Sequence, residues 1–150
     1  MRVHVKTLLP CSVEQVWEAI QSTGLLMEVT PGGKNSAVVE PKPMPERWTD
    51  AKRIILRLPS IGKRVIEIEF IDPVAHVIQT QEKDSVVKRW QHRMQVEPGP
   101  EGQAYYSDTV DIEAGIFTLP VYALAQFLYR YRHRGWRRVT KRLFSRPHGA

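Results

Sequence analysis

Two hydrophobic periods run along this chain, and the change from one to the other outlines a fold. Arg2 to Leu9 sets Val3, Val5 and Thr7 against Arg2, His4 and Lys6, the period of two expected of a half-buried strand. Pro10 ends it. Ser12-Val13-Glu14-Gln15 has the form of a capping box, and Val13, Val16, Trp17 and Ile20 follow at helical spacing. Ser22-Thr23-Gly24 breaks this helix, and Leu25 to Val29 predicts a second, shorter one before Thr30-Pro31-Gly32-Gly33. Alternation returns in Ser36 to Glu40, Lys52 to Leu58, Lys63 to Ile71 and His76 to Glu82. The breaks between these strands are Pro41-Lys42-Pro43-Met44-Pro45, Pro59-Ser60-Ile61-Gly62 and Asp72-Pro73, each rich in turn-forming residues. Val86 to Val96 and Ala104 to Glu113 complete the strands on either side of Pro98-Gly99-Pro100-Glu101-Gly102. From about Phe117 the spacing lengthens to three and four: Val121, Leu124, Leu128, Tyr131, Gly135, Val139 and Leu143 predict a helix, with Pro120 in its first turn. At 1.5 Å per residue it would run about 40 Å.

This order predicts an α+β fold in a single domain over residues 1–150. It is a curved seven-stranded antiparallel sheet with two short helices after the first strand and one long C-terminal helix. One amphipathic helix cannot cover such a sheet laid flat. A curved sheet that grips the helix buries both, and leaves room for a cavity between them.

The late strands bring polar groups onto an apolar face. Trp90, His92, Met94 and Val96 share one side of their strand, and Ala104, Tyr106, Asp108, Val110 and Ile112 share one side of the next. A hairpin centred near Pro100 pairs Val96 with Ala104, Met94 with Tyr106, and His92 with Asp108, so an imidazole would face a carboxylate. Polar groups on a buried face are paired or do work. A histidine oriented by a carboxylate is a candidate general acid–base, suited to removing a proton beside a carbonyl. The bland alternative is a structural pair that fixes the hairpin register.

The opening Val5-Lys6-Thr7-Leu8-Leu9-Pro10-Cys11-Ser12-Val13-Glu14-Gln15-Val16-Trp17 has strand, proline, small cap and helix-borne aromatic in that order. With Trp90-Gln91-His92-Arg93-Met94 and Tyr106-Ser107-Asp108-Thr109-Val110, it resembles the START-like (SRPBCC) superfamily of helix-grip proteins. That group includes polyketide cyclase/dehydrase, lipid-transport and birch-pollen-allergen-like proteins. The resemblance covers essentially the whole chain. It implies a hydrophobic internal cavity and carries over no shared catalytic set.

The apolar positions expected to face such a cavity are Ile54, Leu56, Ile66, Ile68, Phe70, Trp90, Met94, Val110, Leu124 and Leu128, with the Tyr106 phenol beside them. Most of these would serve equally as core.

Composition narrows the field. Hydrophobic content of 42% and charged content of 25% are ordinary for a globular chain. Cys11 has no second cysteine to pair with, which points to a reducing compartment and a structural thiol. The first nine residues lack a signal-peptide core and no stretch has the length of a membrane span, so a cytoplasmic location is expected. His4, His76, His133 and His148 form no metal-ligand spacing. Gly32-Gly33 lacks a phosphate-binding context, and no nucleophile motif is present. Neither a metal nor another cofactor is expected.

The net charge of +6 is concentrated at the C-terminal end, in Arg130, Arg132, Arg134, Arg137, Arg138, Lys141, Arg142 and Arg146. There, Arg130, Arg134, Arg137, Arg138 and Lys141 could meet an anionic membrane with Trp136 at the interface. Nucleic acid is the less favoured partner, and a solvated helix face favoured by the helix dipole is the plain alternative. The chain therefore reads first as a binder of a hydrophobic small molecule, lipid or polyketide-like. The alternatives are a cyclase or dehydratase using His92 and Asp108, and an interaction module using the basic helix end. Sequence alone leaves the oligomeric state open.

Overall fold

The computed structural model describes residues 1–31, 37–58 and 62–144. Gly32, Gly33, Ser36, the turn residues Pro59, Ser60 and Ile61, and Arg146 and His148 lie outside the described residues.

The elements are β1 (Arg2–Leu9), α1 (Val13–Gln21), α2 (Thr23–Val29), β2 (Ala37–Glu40), β3 (Arg53–Leu58), β4 (Gly62–Asp72), β5 (Val77–Lys83), β6 (Arg89–Pro98), β7 (Ala104–Glu113) and α3 (Thr118–Phe144). The strands pair antiparallel in the order β1-β7-β6-β5-β4-β3-β2. Six of them form the body of the sheet. The seventh, β2, is a four-residue edge strand whose register against β3 shifts between Val38 and Glu40. A short, irregular edge exposes little unpaired backbone to other chains.

Local chemistry starts α1 where the pattern places it. The Ser12 hydroxyl accepts from the Gln15 amide at 3.2 Å, and the Gln15 side chain accepts from the Ser12 amide at 2.9 Å. Cys11 is buried, and burial pushes its thiol up to about 11, so it is an unreactive packing group.

The register of the β6–β7 hairpin differs from the predicted one by two residues. Val96 pairs with Tyr106, Met94 with Asp108, and His92 with Val110. The turn is centred on Glu101 rather than Pro100: Pro98 pairs with Ala104, and the Gly99 N–H donates to the Gln103 carbonyl. Glu101 and Gly102 inside it take positive φ, at 56° and 74°. A slip of two keeps every side chain on its predicted face.

The phase of α3 also differs. Its buried side is Ala125, Tyr129, His133, Trp136, Val139 and Thr140, while Leu124, Tyr131 and Leu143 are exposed. The buried stripe is rotated by about one residue from the purely apolar one, because His133 turns inward to a buried carboxylate.

The apolar interior falls into two clusters. One gathers α1 and α2 with Met94, Val96, Tyr106, Trp136 and Val139. The other joins Val3, Trp90, Val110 and Ile112 to Ala125 and Tyr129. In each of β6, β7 and α3 a polar residue stands between members of the two: His92 between Trp90 and Met94, Asp108 between Tyr106 and Val110, His133 between Tyr129 and Trp136.

Gly135 sets how closely α2 approaches α3. A Cβ there would lie 2.9 Å from Val29 Cβ and 3.3 Å from its Cα. In an exposed helix, Gly→Ala gains about 0.5–1 kcal/mol. Here overpacking of about 1–3 kcal/mol should outweigh it. Gly135→Ala is therefore expected to lower stability in urea unfolding, and equal or greater stability would show that α2 shifts freely.

Candidate functional site

Asp108 is the centre of the polar layer and is 1% exposed. His92 Nε2 donates to its Oδ1 at 2.5 Å, the Tyr106 hydroxyl donates to the same oxygen at 2.9 Å, and His133 Nε2 donates to Oδ2 at 2.8 Å. His92 reaches Asp108 diagonally across the β6–β7 ladder, within the range open to long side chains. Tyr106 stacks flat on His133, with ring centroids 5.0 Å apart.

A second carboxylate faces the other side of His92. Glu82 Oε2 is 3.4 Å from His92 Nδ1 and accepts from Thr80 Oγ1 at 3.3 Å, while Glu82 Oε1 accepts from Arg64 Nε at 2.9 Å. Arg64 also lies 3.5 Å from Asp84 and covers the Trp90 ring at 4.3 Å. Trp90 in turn donates to the Tyr129 hydroxyl at 3.2 Å.

This arrangement shifts the ionisation of its members. Burial opposes charge on Asp108, yet the His92 charge and the hydrogen bonds from His133 and His92 outweigh it and hold the carboxyl well below the usual range. Burial likewise opposes charge on Glu82, but Arg64 and His92 bring it down to about 2. Burial would lower His92, while Asp108 and then Glu82 raise it above its ordinary value. Burial, reinforced by the Asp108 charge, pushes the Tyr106 phenol well above its ordinary value. Placed between these two anions, His92 is favoured in its protonated form, with both ring nitrogens turned to carboxylates. Such a ring can donate but has no free lone pair to accept a proton.

Beside this layer lies a cavity of about 70 Å³. His92, Glu82, Thr80 and Arg132 form its polar wall, and Leu26, Met27, Met44, Trp48, Ile54, Leu56, Ile66 and Met94 its apolar one. Arg132 is partly buried, with its guanidinium carbon 5.4 Å from the centre of the Tyr129 ring. Among the described residues no hydrogen bond or ion pair reaches that guanidinium, and its Nε is fully buried without a partner.

Of the residues expected at the cavity, Ile54, Leu56, Ile66 and Met94 lie on its wall. Trp90, Tyr106 and Val110 are instead packed in the core, and Ile68 and Leu128 lie partly buried against it. Phe70 is 43% exposed and Leu124 55% exposed, against expectation. Phe70 follows a register shift that pairs Ile68 with Thr80 but Phe70 with Gln79, and this turns its ring to the outer face. Leu124 lies outside the rotated helix stripe. Trp136 is buried at 1% against Tyr106, not at an outer interface. Arg130, Arg134, Arg137, Arg138 and Lys141 are all exposed.

Sequence reasoning missed Thr80, Glu82, Arg64, Arg132 and His133. Thr80 and Glu82 did carry a signal, since they continue the inner alternation begun at Ile78. Arg132 and His133 carried none, because a basic helix end reads as solvated.

Among the described residues no cluster of histidine, cysteine and carboxylates is arranged to hold a metal ion, and no helix is long and apolar enough to cross a membrane. No protein-family model matches the sequence, and no curated protein is similar enough to match it. Solved structures do match across nearly the full length. A START superfamily protein from Mycobacterium smegmatis is 13% identical with a TM-score of 0.71, over 95% of this chain and 98% of that one. The Zhui aromatase/cyclase from Streptomyces sp. R1128 is 12% identical with a TM-score of 0.70, over 100% and 98%. Truncated norcoclaurine synthase from Thalictrum flavum is 8% identical with a TM-score of 0.69, over 98% and 95%. At such identities the likeness concerns the backbone, and it shows that this chain has the START-like helix-grip fold.

Proposed function

We propose that this protein binds a hydrophobic small molecule, lipid or polyketide-like, that carries an acceptor oxygen. The observation behind this reading is Arg132: a guanidinium on the wall of an otherwise largely apolar cavity, with its buried Nε lacking a hydrogen-bond partner. Asp108 and Glu82 offset part of the cost of its charge, but its donors still lack hydrogen-bond acceptors, and a carbonyl or carboxylate of the ligand would supply one. His92, Glu82 and Thr80 already satisfy one another, so Arg132 is the member of the polar wall with free donors.

The cavity is smaller than the roughly 300–1,000 Å³ of ordinary ligand sites. The ligand body must therefore displace side chains, and the wall supplies adaptable ones in Met27 and Met44. Burial of the apolar body gives affinity and Arg132 gives orientation. The two ionised neighbours of His92 weigh against its serving as a general base. In the cyclase or dehydratase reading it would act first as an acid, through a proton it already holds.

Calorimetric titration with decanoate and with 1-naphthoate tests the proposal. Saturable binding of either, weakened roughly tenfold or more in Arg132→Met, is the expected result, since a charge-assisted hydrogen bond contributes about 1.5–3 kcal/mol. Binding that Arg132→Met leaves unchanged would remove Arg132 from the site. No binding of either probe would leave the cavity as a packing defect.

A further inference from the structure

We propose that the outer face of α3, with the turn before it, docks on a lipid bilayer rich in anionic headgroups. The 27 residues of α3 contain no aspartate or glutamate. Its solvent side divides lengthwise. The first half exposes Leu119 at 65%, Leu124 at 55%, Phe127 at 63% and Tyr131 at 43%, and the preceding turn adds Ile116 at 90% and Phe117 at 52%. From Arg130 on, overlapping the apolar part at Tyr131, the helix exposes Arg130, Arg134, Arg137, Arg138 and Lys141. Among the described residues none of these five cations forms an ion pair. Arg142, by contrast, is held by Glu28 of α2 at 2.6 Å.

Two features of this face select its partner. An uncompensated row of cations attracts an anionic surface, each one adding to the binding. The adjoining aliphatic and aromatic side chains, among which Phe127 and Tyr131 contact each other's rings, form the kind of exposed apolar surface that enters a headgroup layer. A nucleic acid would use the cations but not Ile116, Leu119 or Phe127. Of the aromatic rings interleaved with the cations, Tyr129 and Trp136 are turned into the core at 1% exposure, leaving Tyr131 as the one exposed ring for base stacking. The surface is separate from the cavity, so the two proposals stand or fall independently.

The experiment is co-sedimentation of the intact protein with phosphatidylcholine vesicles, with and without phosphatidylglycerol, at low and high salt. The protein should sediment with the anionic vesicles at low salt and be released at high salt. The double variant Arg134→Glu, Arg138→Glu should lose roughly tenfold or more of the bound fraction. Phe127→Ser should lose severalfold with the charge untouched. These positions are exposed, so circular dichroism should be unchanged. Absence of sedimentation, or equal binding to uncharged vesicles, would overturn the proposal. So would salt-sensitive binding to an RNA oligonucleotide that Phe127→Ser leaves intact while vesicles are ignored. Self-association abolished by Phe127→Ser without vesicle binding would assign the face to a second copy of the chain instead.

Discussion

Asp108→Asn is expected to lower the unfolding free energy by about 3–5 kcal/mol, the usual cost of breaking a buried ionic cluster by removing one partner. The carboxylate accepts from His92, Tyr106 and His133 on its two oxygens. An asparagine of the same shape offers one acceptor oxygen and one donor group. At least one histidine would then face a donor, and the His92 imidazolium would lose its nearer counter-ion. Leaving buried polar groups unsatisfied costs about 1–3 kcal/mol each, more where one is charged. Urea unfolding measures the loss. Proton NMR of the His92 ring should show it titrating at lower pH in the variant, because Asp108 contributes most to raising it. A loss under about 1 kcal/mol with an unmoved His92 titration would mean that the donors find other acceptors.

Stability should also peak in mildly acidic solution and fall on both sides. His92 is raised in the folded state, so its contribution is fully present below its unfolded value, about 6.5, and is lost as pH rises through its folded value. Asp108 and Glu82 are depressed, so their contribution is present above the unfolded values of about 4 and is lost as pH falls, for Glu82 towards about 2. The groups facing His92 are Glu82 from β5, Asp108 from β7, and Tyr129 and Arg132 from α3. Each proton linked to folding changes stability by up to about 1.4 kcal/mol per pH unit. Urea unfolding at a series of pH values should therefore give a maximum between about pH 4.5 and 6.5. In His92→Gln the decline on the alkaline side of that range should flatten. Undiminished stability of the wild-type protein at pH 8.5 would contradict a charged His92.

Much of the architecture is legible in local patterns. The alternation of Trp90, His92, Met94 and Val96 with Arg89, Gln91, Arg93 and Gln95 identifies the buried face of β6, because successive side chains of a strand point opposite ways whatever the strand pairs with. The Ser12 and Gln15 cap is equally local: both partners lie within one turn. His92 and Asp108 could be placed on one buried face for the same reason, and a register error of two leaves that conclusion standing.

The rest depends on partners far apart in the chain. The Phe70 ring turns outward because of a bulge that only pairing with β5 reveals. The phase of α3 is decided by His133 reaching Asp108, 25 residues away, which no count of apolar spacing along the helix can register. Arg132 is hidden in the same way: a cation in a basic run reads as solvated until the sheet beneath it is known.

By itself, then, the sequence determined roughly which residues form each element and which face of each strand is apolar, except past the bulge in β4, since those follow from side-chain direction over a few residues. Tertiary structure alone decided the hairpin register, the helix phase and the assembly of Glu82, His92, Asp108, Arg132 and His133 into one polar layer beside a small cavity. Buried charges are tolerated only when packing brings distant opposite charges and donors together.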